Sequence, residues 1–366
     1  MILPGQTLGV LGDGPAGKML AQAAESLGYR ARIFPGIDAS RDGFAGLRAF
    51  AGECAAVSCA SEIISTEALD VLAETARLHP SRDVLHLGRS RLHQKHWLAQ
   101  NKFSQAACAE VLDGDVAAAV ARVGRPCVVK MADFSLEGRG QMRIANDADL
   151  EQASVIFQGR RCLVERWIDF AAELSVLVAR SESGEMRLYP LVENIHARGV
   201  LDFSIVPARM SEAAAVEVQH LARDLAKKLG VVGLLAVELF LTDRGELLVN
   251  AFAPGTHPSG DWTLDGSETN QFEQQIRAVC GLPLGPTDRR EPSVTVGIYG
   301  EAWRGGRDPD WTVILREPRA KLHLFGGLDP RPGRRMGYFS VRASEVGLAL
   351  ELARELRASL LGRSLS

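Results

Sequence analysis

Residues 236–261 read AVELFLTDRGELLVNAFAPGTHPSGD. Two strand-forming runs, AVELFL and ELLVNAFA, flank a tight turn at Asp243-Arg244-Gly245-Glu246, which is a hairpin pattern. With Arg244 and Gly245 as a two-residue loop, 242 pairs with 247 and 238 with 251. Glu238 then faces Ala251 on the same side of the ladder. A lone acid in an apolar strand is costly to bury without a partner or a metal. The hairpin therefore marks a place where chemistry is expected.

The surrounding chain bounds the class of protein. Its 366 residues are enough for two or three domains, and 46% hydrophobic with 24% charged residues suits a folded protein. A net charge of −3 gives no electrostatic case for nucleic acid or an acidic membrane. No apolar run approaches the ~20 residues of a membrane span. The N-terminal MILPGQTLGVLGDG lacks a basic leader region and enters a strand at once, so no signal peptide is expected. Cys54, Cys59, Cys108, Cys127, Cys162 and Cys280 have no CxxC spacing and read as free thiols of a cytoplasmic protein.

Outward from the hairpin, Ser211 caps a helix that Gly230 stops, and a further helix spans about Thr269–Cys280. Glu173–Arg180 and Met186–Asn194 form a hairpin over Ser181–Glu185. At the N-terminus, strand Thr7–Leu11, the loop Gly12–Gly17, a helix to Gly28 and strand Arg30–Phe34 open a doubly wound α/β domain. Short strands are expected near Cys54–Cys59 and at Val84–Leu87, with a helix from Ser65 to Leu78 between them. A helix covers Arg91–Gln100, and Pro283–Pro292 reads as a linker before C-terminal strands and a last helix from Glu345.

Several side chains could carry function. The Gly12–Gly17 loop matches a dinucleotide fingerprint, but the ribose-binding acid is missing at the end of the second strand, where only Asp38 follows out of place. That argues against a nicotinamide-dependent dehydrogenase. Lys130 ends a strand before a loop with Gly138 and Gly140, an arrangement suited to a triphosphate and equally to a solvated lysine. Glu165 and Glu173 could grip ribose hydroxyls or stand as exposed acids at a hinge. His196 suits a ligand or a structural histidine. His93 and His96 share a helix face without a third ligand at zinc spacing. Lys321, Arg334 and Arg335 form a basic cluster that could hold a phosphate monoester or be surface charge.

Taken in order, these pieces resemble the 5-(carboxyamino)imidazole ribonucleotide synthetase family of ATP-grasp enzymes. The resemblance runs through MILPGQTLGVLG, ERWIDFAAELSVLVAR, YPLVENIHARGVLDFSIVPA, LLAVELFL, QFEQQIRAVCGLPLG and KLHLFG with RPGRRMG. It implies an α/β ATP-grasp fold: a Rossmann-like domain over 1–90, an ATP-grasp domain over 91–285 with its lid lobe at about 108–168, and a small β-rich domain over 286–366. It further implies a homodimer that uses MgATP and bicarbonate to carboxylate a small-molecule amine, aminoimidazole ribonucleotide. By motif position Arg91 and Lys130 meet the ATP phosphates, and Glu165, Arg166, Trp167 and Ile168 form the adenine hinge. Glu173 meets the ribose, and His196 lies near the nucleotide. Glu238 is one Mg²⁺ carboxylate with Asn250 on the facing strand, and Lys321, Arg334 and Arg335 hold the substrate phosphate.

Departures gather at the chemistry. The family's NEIAPRPHNSGHWT is NAFAPGTHPSGDWT here: the second metal carboxylate is Ala251, an arginine is Gly255, an asparagine is Pro258 and the second histidine is Asp261. Two glycines of the phosphate-covering loop are Phe134 and Ser135, GGGQLGRM has become GDGPAGKM, and YEFENV has become CASEII with only Glu62 kept. Three readings follow. The first is a ligase with an altered acceptor, its site rebuilt from His257, Asp261 and Glu268. The second is the purine reaction itself, with a metal site weakened by Ala251. The third is a non-catalytic nucleotide- or partner-binding protein.

Overall fold

The structure is a computed structural model that describes residues 1–36, 42–60, 64–133, 140–303 and 307–362. Asp38, Glu62 and the Phe134-Ser135 loop with Gly138 lie outside the described residues. The chain forms two compact units: Met1–Arg82 with Ser175–Ala236 and Pro254–Ser366, and Asp83–Leu174 with Val237–Ala253.

The first unit begins with a parallel sheet in the order Arg30–Phe34, Thr7–Leu11, Ala56–Cys59, Leu78–His79. Helix Pro15–Ser26 returns between the first two strands, as a parallel pair requires. Leu8, Val10 and Leu20 pack with Phe272, Ile276 and Val279 from helix Gln271–Cys280. The same unit carries antiparallel strands Val200–Val206, Ser293–Tyr299, Arg335–Arg342 and Ala320–Leu324 in that order. Helix Val346–Leu360 covers one face through Ala349, Leu350 and Ala353, packed with Val294, Val296 and Phe339.

The second unit holds an antiparallel sheet in the order Cys108–Glu110, Cys162–Arg166, Cys127–Met131, Gln141–Ile144. Helices Val116–Val123 and Asp147–Ile156 close it over Val129, Ile144 and Val164. Asn146 caps the second of these helices in a reciprocal box with Asp149.

Two local expectations are corrected. Val84–Leu87 is not a strand: it lies in helix Arg82–Gly88, and the strand of that region is Leu78–His79. A short apolar run fits either period, and here Pro80 leaves its predecessor extended while Asp83 favours a helix start. The turn at Asp243–Glu246 is also one residue longer than expected. Gly245 N donates to Thr242 O at 2.9 Å, and Thr242 N donates to Glu246 O at 3.0 Å. Thr242 therefore opposes Glu246, with Gly245 at φ +80° as the bulge residue. A two-residue type I′ loop would need positive φ at Arg244 as well, which a side chain resists. At the far end Gly255 N donates to Leu234 O at 2.8 Å, in step with the 238–251 pairing, so the ladder shifts by one residue between the turn and Leu234.

The Gly12–Gly17 loop is tightly closed. A Cβ at Gly17 would lie 1.9 Å from the Gly12 carbonyl oxygen, which is backbone and cannot swing aside. Gly17→Ala is expected to cost about 1–3 kcal/mol of stability through this overpacking, read as a lower urea midpoint at unchanged slope.

Candidate active site

In the second unit the sheet register builds a buried charge cluster. Val128 pairs with Glu165 and Lys130 with Leu163, so Lys130 and Glu165 share one sheet face on a diagonal. Lys130 Nζ donates to Glu165 Oε2 at 2.8 Å. Lys95, from helix Arg91–Gln100, brings its Nζ to 3.6 Å from Glu165 Oε1. All three residues are buried, at 8%, 3% and 3% exposure for Lys130, Glu165 and Lys95. Glu165 is thus neither a solvated acid at a hinge nor an open ribose acceptor.

Burial pushes the Glu165 carboxyl up, but Lys130, Lys95 and Arg91 pull harder and hold it below the usual carboxylate range. Burial pushes Lys95 down, opposed by Glu165. Arg91 stands one turn before Lys95 on the same helix face. Its backbone N donates to Ala132 O at 2.7 Å, which ties the helix start to the end of the Lys130 strand. Gln94, on another face, donates to Gly88 O at 2.8 Å and accepts from Phe252 N at 3.0 Å, pinning strand Leu247–Pro254.

Arg166, Trp167 and Ile168 follow directly. Arg166 N donates to Ala107 O and Trp167 N to Pro126 O. The Arg143 guanidinium lies over the Trp167 ring at 4.7 Å. Ile168 and Glu173 are half-buried, and Phe170 stacks on Phe240 at 4.8 Å. Glu238 and Asn250 are half-buried on their strands, whereas Ala251 is buried. Among the described residues no group of three His, Cys, Asp or Glu could hold a metal. One carboxylate and one amide oxygen fit Mg²⁺ that keeps waters and takes phosphate oxygens, and do not fit a protein-only cage.

The first unit holds a second cluster. Arg335 Nη1 donates to Asp261 Oδ2 at 2.7 Å, and Gln271 Nε2 donates to Asp261 Oδ1 at 3.0 Å. Gln271 also accepts from His257 N at 2.9 Å, and His257 Nδ1 contacts Ser259 Oγ at 2.9 Å. His257, Asp261 and Arg335 line a cavity of about 180 Å³ with Pro15 and Ala16 of the glycine loop. His323 Nε2 lies 2.8 Å from Asp265 Oδ2, which accepts, and the ring stacks on Tyr338.

The remaining candidates are elsewhere. Glu268 pairs with Arg290 at 3.4 Å, both half-exposed, and does not line the cavity. Arg334 reaches the Asp329 carbonyl, while Lys321 and His196 are exposed on their strands. Lys95 was missed because a lysine among polar helix residues reads as solvated. Its i+4 spacing from Arg91 was the available signal.

The model of the ATP-grasp domain family matches residues 92–272. Over 364 residues the chain is 36% identical to the N5-carboxyaminoimidazole ribonucleotide synthase of Bacillus subtilis, covering 93% of this chain and 92% of that protein. The chain belongs to the N5-carboxyaminoimidazole ribonucleotide synthase family. Its fold is that of the Thermus thermophilus synthetase, with TM-score 0.85, 32% identity and coverage of 98% and 99%. It also matches the Aspergillus clavatus synthase in complex with ADP and 5-aminoimidazole ribonucleotide, with TM-score 0.87, 26% identity and coverage of 98% and 99%. Within the synthase family's ATP-grasp fold, the Lys95–Glu165–Lys130 cluster lies inside the matched domain.

Glu165→Gln leaves two buried ammonium groups without their counter-charge and is expected to cost about 3–5 kcal/mol near neutral pH. The folded carboxyl titrates below its unfolded value of about 4.3, so its stabilisation is complete above that value and fades as pH falls through the folded one. The gap between wild type and variant in urea unfolding should therefore be wide at neutral pH and narrow in strong acid.

Proposed function

We propose that this chain is an ATP-dependent carbon–nitrogen ligase with bicarbonate as donor. A bicarbonate oxygen attacks the γ-phosphorus and ADP leaves. The acceptor's amino nitrogen then attacks the carboxyl carbon, the C–O bond to phosphate breaks, and the nitrogen loses a proton. The observation that carries the reading is the buried Lys130–Glu165–Lys95 cluster: two ammonium groups against one carboxylate leave a surplus for phosphate oxygens.

In this reading Lys130 and Arg91 bind the phosphates, Arg166, Trp167 and Ile168 flank the adenine, Glu173 accepts from the ribose hydroxyls, and His196 serves the nucleotide. Glu165 acts by holding Lys130. Glu238 and Asn250 hold Mg²⁺, which when bound neutralises phosphate charge. His257 and Asp261 serve the acceptor, with Lys321, Arg334 and Arg335 on its other end. The three-part division 1–90, 91–285 and 286–366, a homodimer and a cytoplasmic location belong to the same proposal. A second reading, carboxylation of aminoimidazole ribonucleotide itself, is favoured by the 36% identity to the Bacillus subtilis synthase across nearly the whole chain.

Titration calorimetry with ATP, with and without Mg²⁺, tests the reading. Binding is expected, and Lys130→Ala should weaken it at least tenfold, about 1.4 kcal/mol. No binding at millimolar ATP removes both enzymatic readings in favour of a non-catalytic protein. ADP release that needs bicarbonate and aminoimidazole ribonucleotide selects the second reading.

A further inference from the structure

Two buried ammonium groups share the Glu165 carboxylate, and they share it unequally. Lys130 Nζ donates to Oε2 at 2.8 Å. Lys95 Nζ stands 3.6 Å from the other oxygen, Oε1, and among the described residues it has no hydrogen-bond partner. The Lys95 side chain is 3% exposed, against 10% for Lys130. A buried ammonium with no hydrogen bond has lost water from three donors and gained little in return. The resting fold has small need of it, because Lys130 alone balances Glu165 and a second desolvated charge is costly. Lys95 is nevertheless held firmly: its carbonyl accepts from Gln105 Nε2 at 2.9 Å, and Arg91 N ties the start of its helix to Ala132 O.

That arrangement has a use once Lys130 changes partner. Lys130 lies one residue from the end of strand Cys127–Met131 and its head is the more exposed, so an incoming phosphate reaches it first. A phosphate oxygen then competes with Glu165 for one ammonium, and a buried carboxylate that loses its partner is strongly destabilised. A shift of roughly 0.5 Å would bring Lys95 into hydrogen-bond range of Oε1. The other groups near Glu165 cannot substitute. Arg91 acts on it more weakly than either lysine, and burial pushes the Cys108 thiol, its ladder partner, up and keeps it neutral. Arg143 shares the sheet face two strands away and lies over Trp167. We infer that Lys95 is a positioning residue that takes over Glu165 when nucleotide phosphate draws Lys130 away. The inference rests on the proposed ligase reading and adds to it the exchange of one carboxylate between two lysines.

The test is calorimetric titration of the full chain with MgATP, comparing wild type with Lys95→Met, an unbranched apolar side chain that adapts to a buried position. Lys95→Met should weaken ATP binding at least tenfold. Binding to the variant should also take up more protons than binding to wild type, because Glu165 is left without a cation and protonates. Buffers of different ionisation enthalpy count those protons, and the protons of the ligand itself are common to both proteins. The affinity gap should therefore narrow as pH falls below neutrality. Affinity within twofold of wild type overturns the inference, and so does a loss of affinity without extra proton uptake. If thermal melting shows that Lys95→Met does not fold, a crystal structure of wild type with ADP decides. Lys95 Nζ hydrogen-bonded to Glu165 and Lys130 Nζ withdrawn from it is the expected result; Lys130 still on Oε2 with Lys95 unmoved overturns the exchange. Wild type that does not bind ATP sinks the ligase reading and this inference with it, whereas binding that Lys95→Met leaves unaltered sinks this inference alone.

Discussion

A carboxylate buried between two lysines constrains everything around it. Glu165 keeps its charge only while Lys130 stands 2.8 Å and Lys95 3.6 Å away. Those distances require the register of strands Cys127–Met131 and Cys162–Arg166, and they require helix Arg91–Gln100 to dock with one particular face inward. The hydrogen bond from Arg91 N to Ala132 O sets where that helix begins. Gln94, on another side of the helix, carries the constraint onward to Phe252. The cluster thus links the sheet of Cys127–Met131, the helix and the strand that bears Asn250. Desolvating three charges is expensive unless each finds its partner, so a slip of the register by one residue would leave the cluster unpaired.

The two clusters differ in their balance, and that difference is informative. Around Glu165 two buried ammonium groups face one carboxylate. At Asp261 and Arg335 the charges cancel, within the shelter of Tyr338 and Phe325. Burial pushes the Asp261 carboxyl above the usual carboxylate range, and Arg335 offsets that only in part. Arg335 meets Asp261 of the same unit through Nη1.

Much of the architecture was legible because local signals agreed with the fold. Ser211 and Gly230 bound their helix by cap chemistry, with Ser211 Oγ accepting from Ala214 N and Gly230 in the left-handed region. Lys130 lies on the strand where the sequence pattern places it, Cys127–Met131. What escaped depends on distant partners or on backbone angles. Lys95 is a buried charge only because Glu165 is brought to it from 70 residues along the chain. The packing of helix Gln271–Cys280 on the first sheet brings together opposite ends of the sequence. Val84–Leu87 misled because four residues cannot declare a period. The length of the hairpin turn depends on the sign of φ at Arg244, which residue names show only through the single glycine beside it.

The segment after Ala251 is set by its backbone as well as by its side chains. Gly255 sits at φ +102°, a conformation that an arginine adopts only with strain, and its N–H donates to Leu234 O at 2.8 Å. Gly260 leaves no room for a Cβ, which would lie 2.5 Å from Gln271 Oε1 and 2.6 Å from Leu177 Cδ2. Gln271 is the hub of this loop, accepting from His257 N and donating to both the His257 carbonyl and Asp261. Its amide is spent on backbone and carboxylate together, so Asp261 is held by the scaffold before any ligand arrives. The Asp261–Arg335 pair is therefore a built part of the loop. Putting back one family residue, such as an arginine at 255, would meet a backbone that has already committed to glycine.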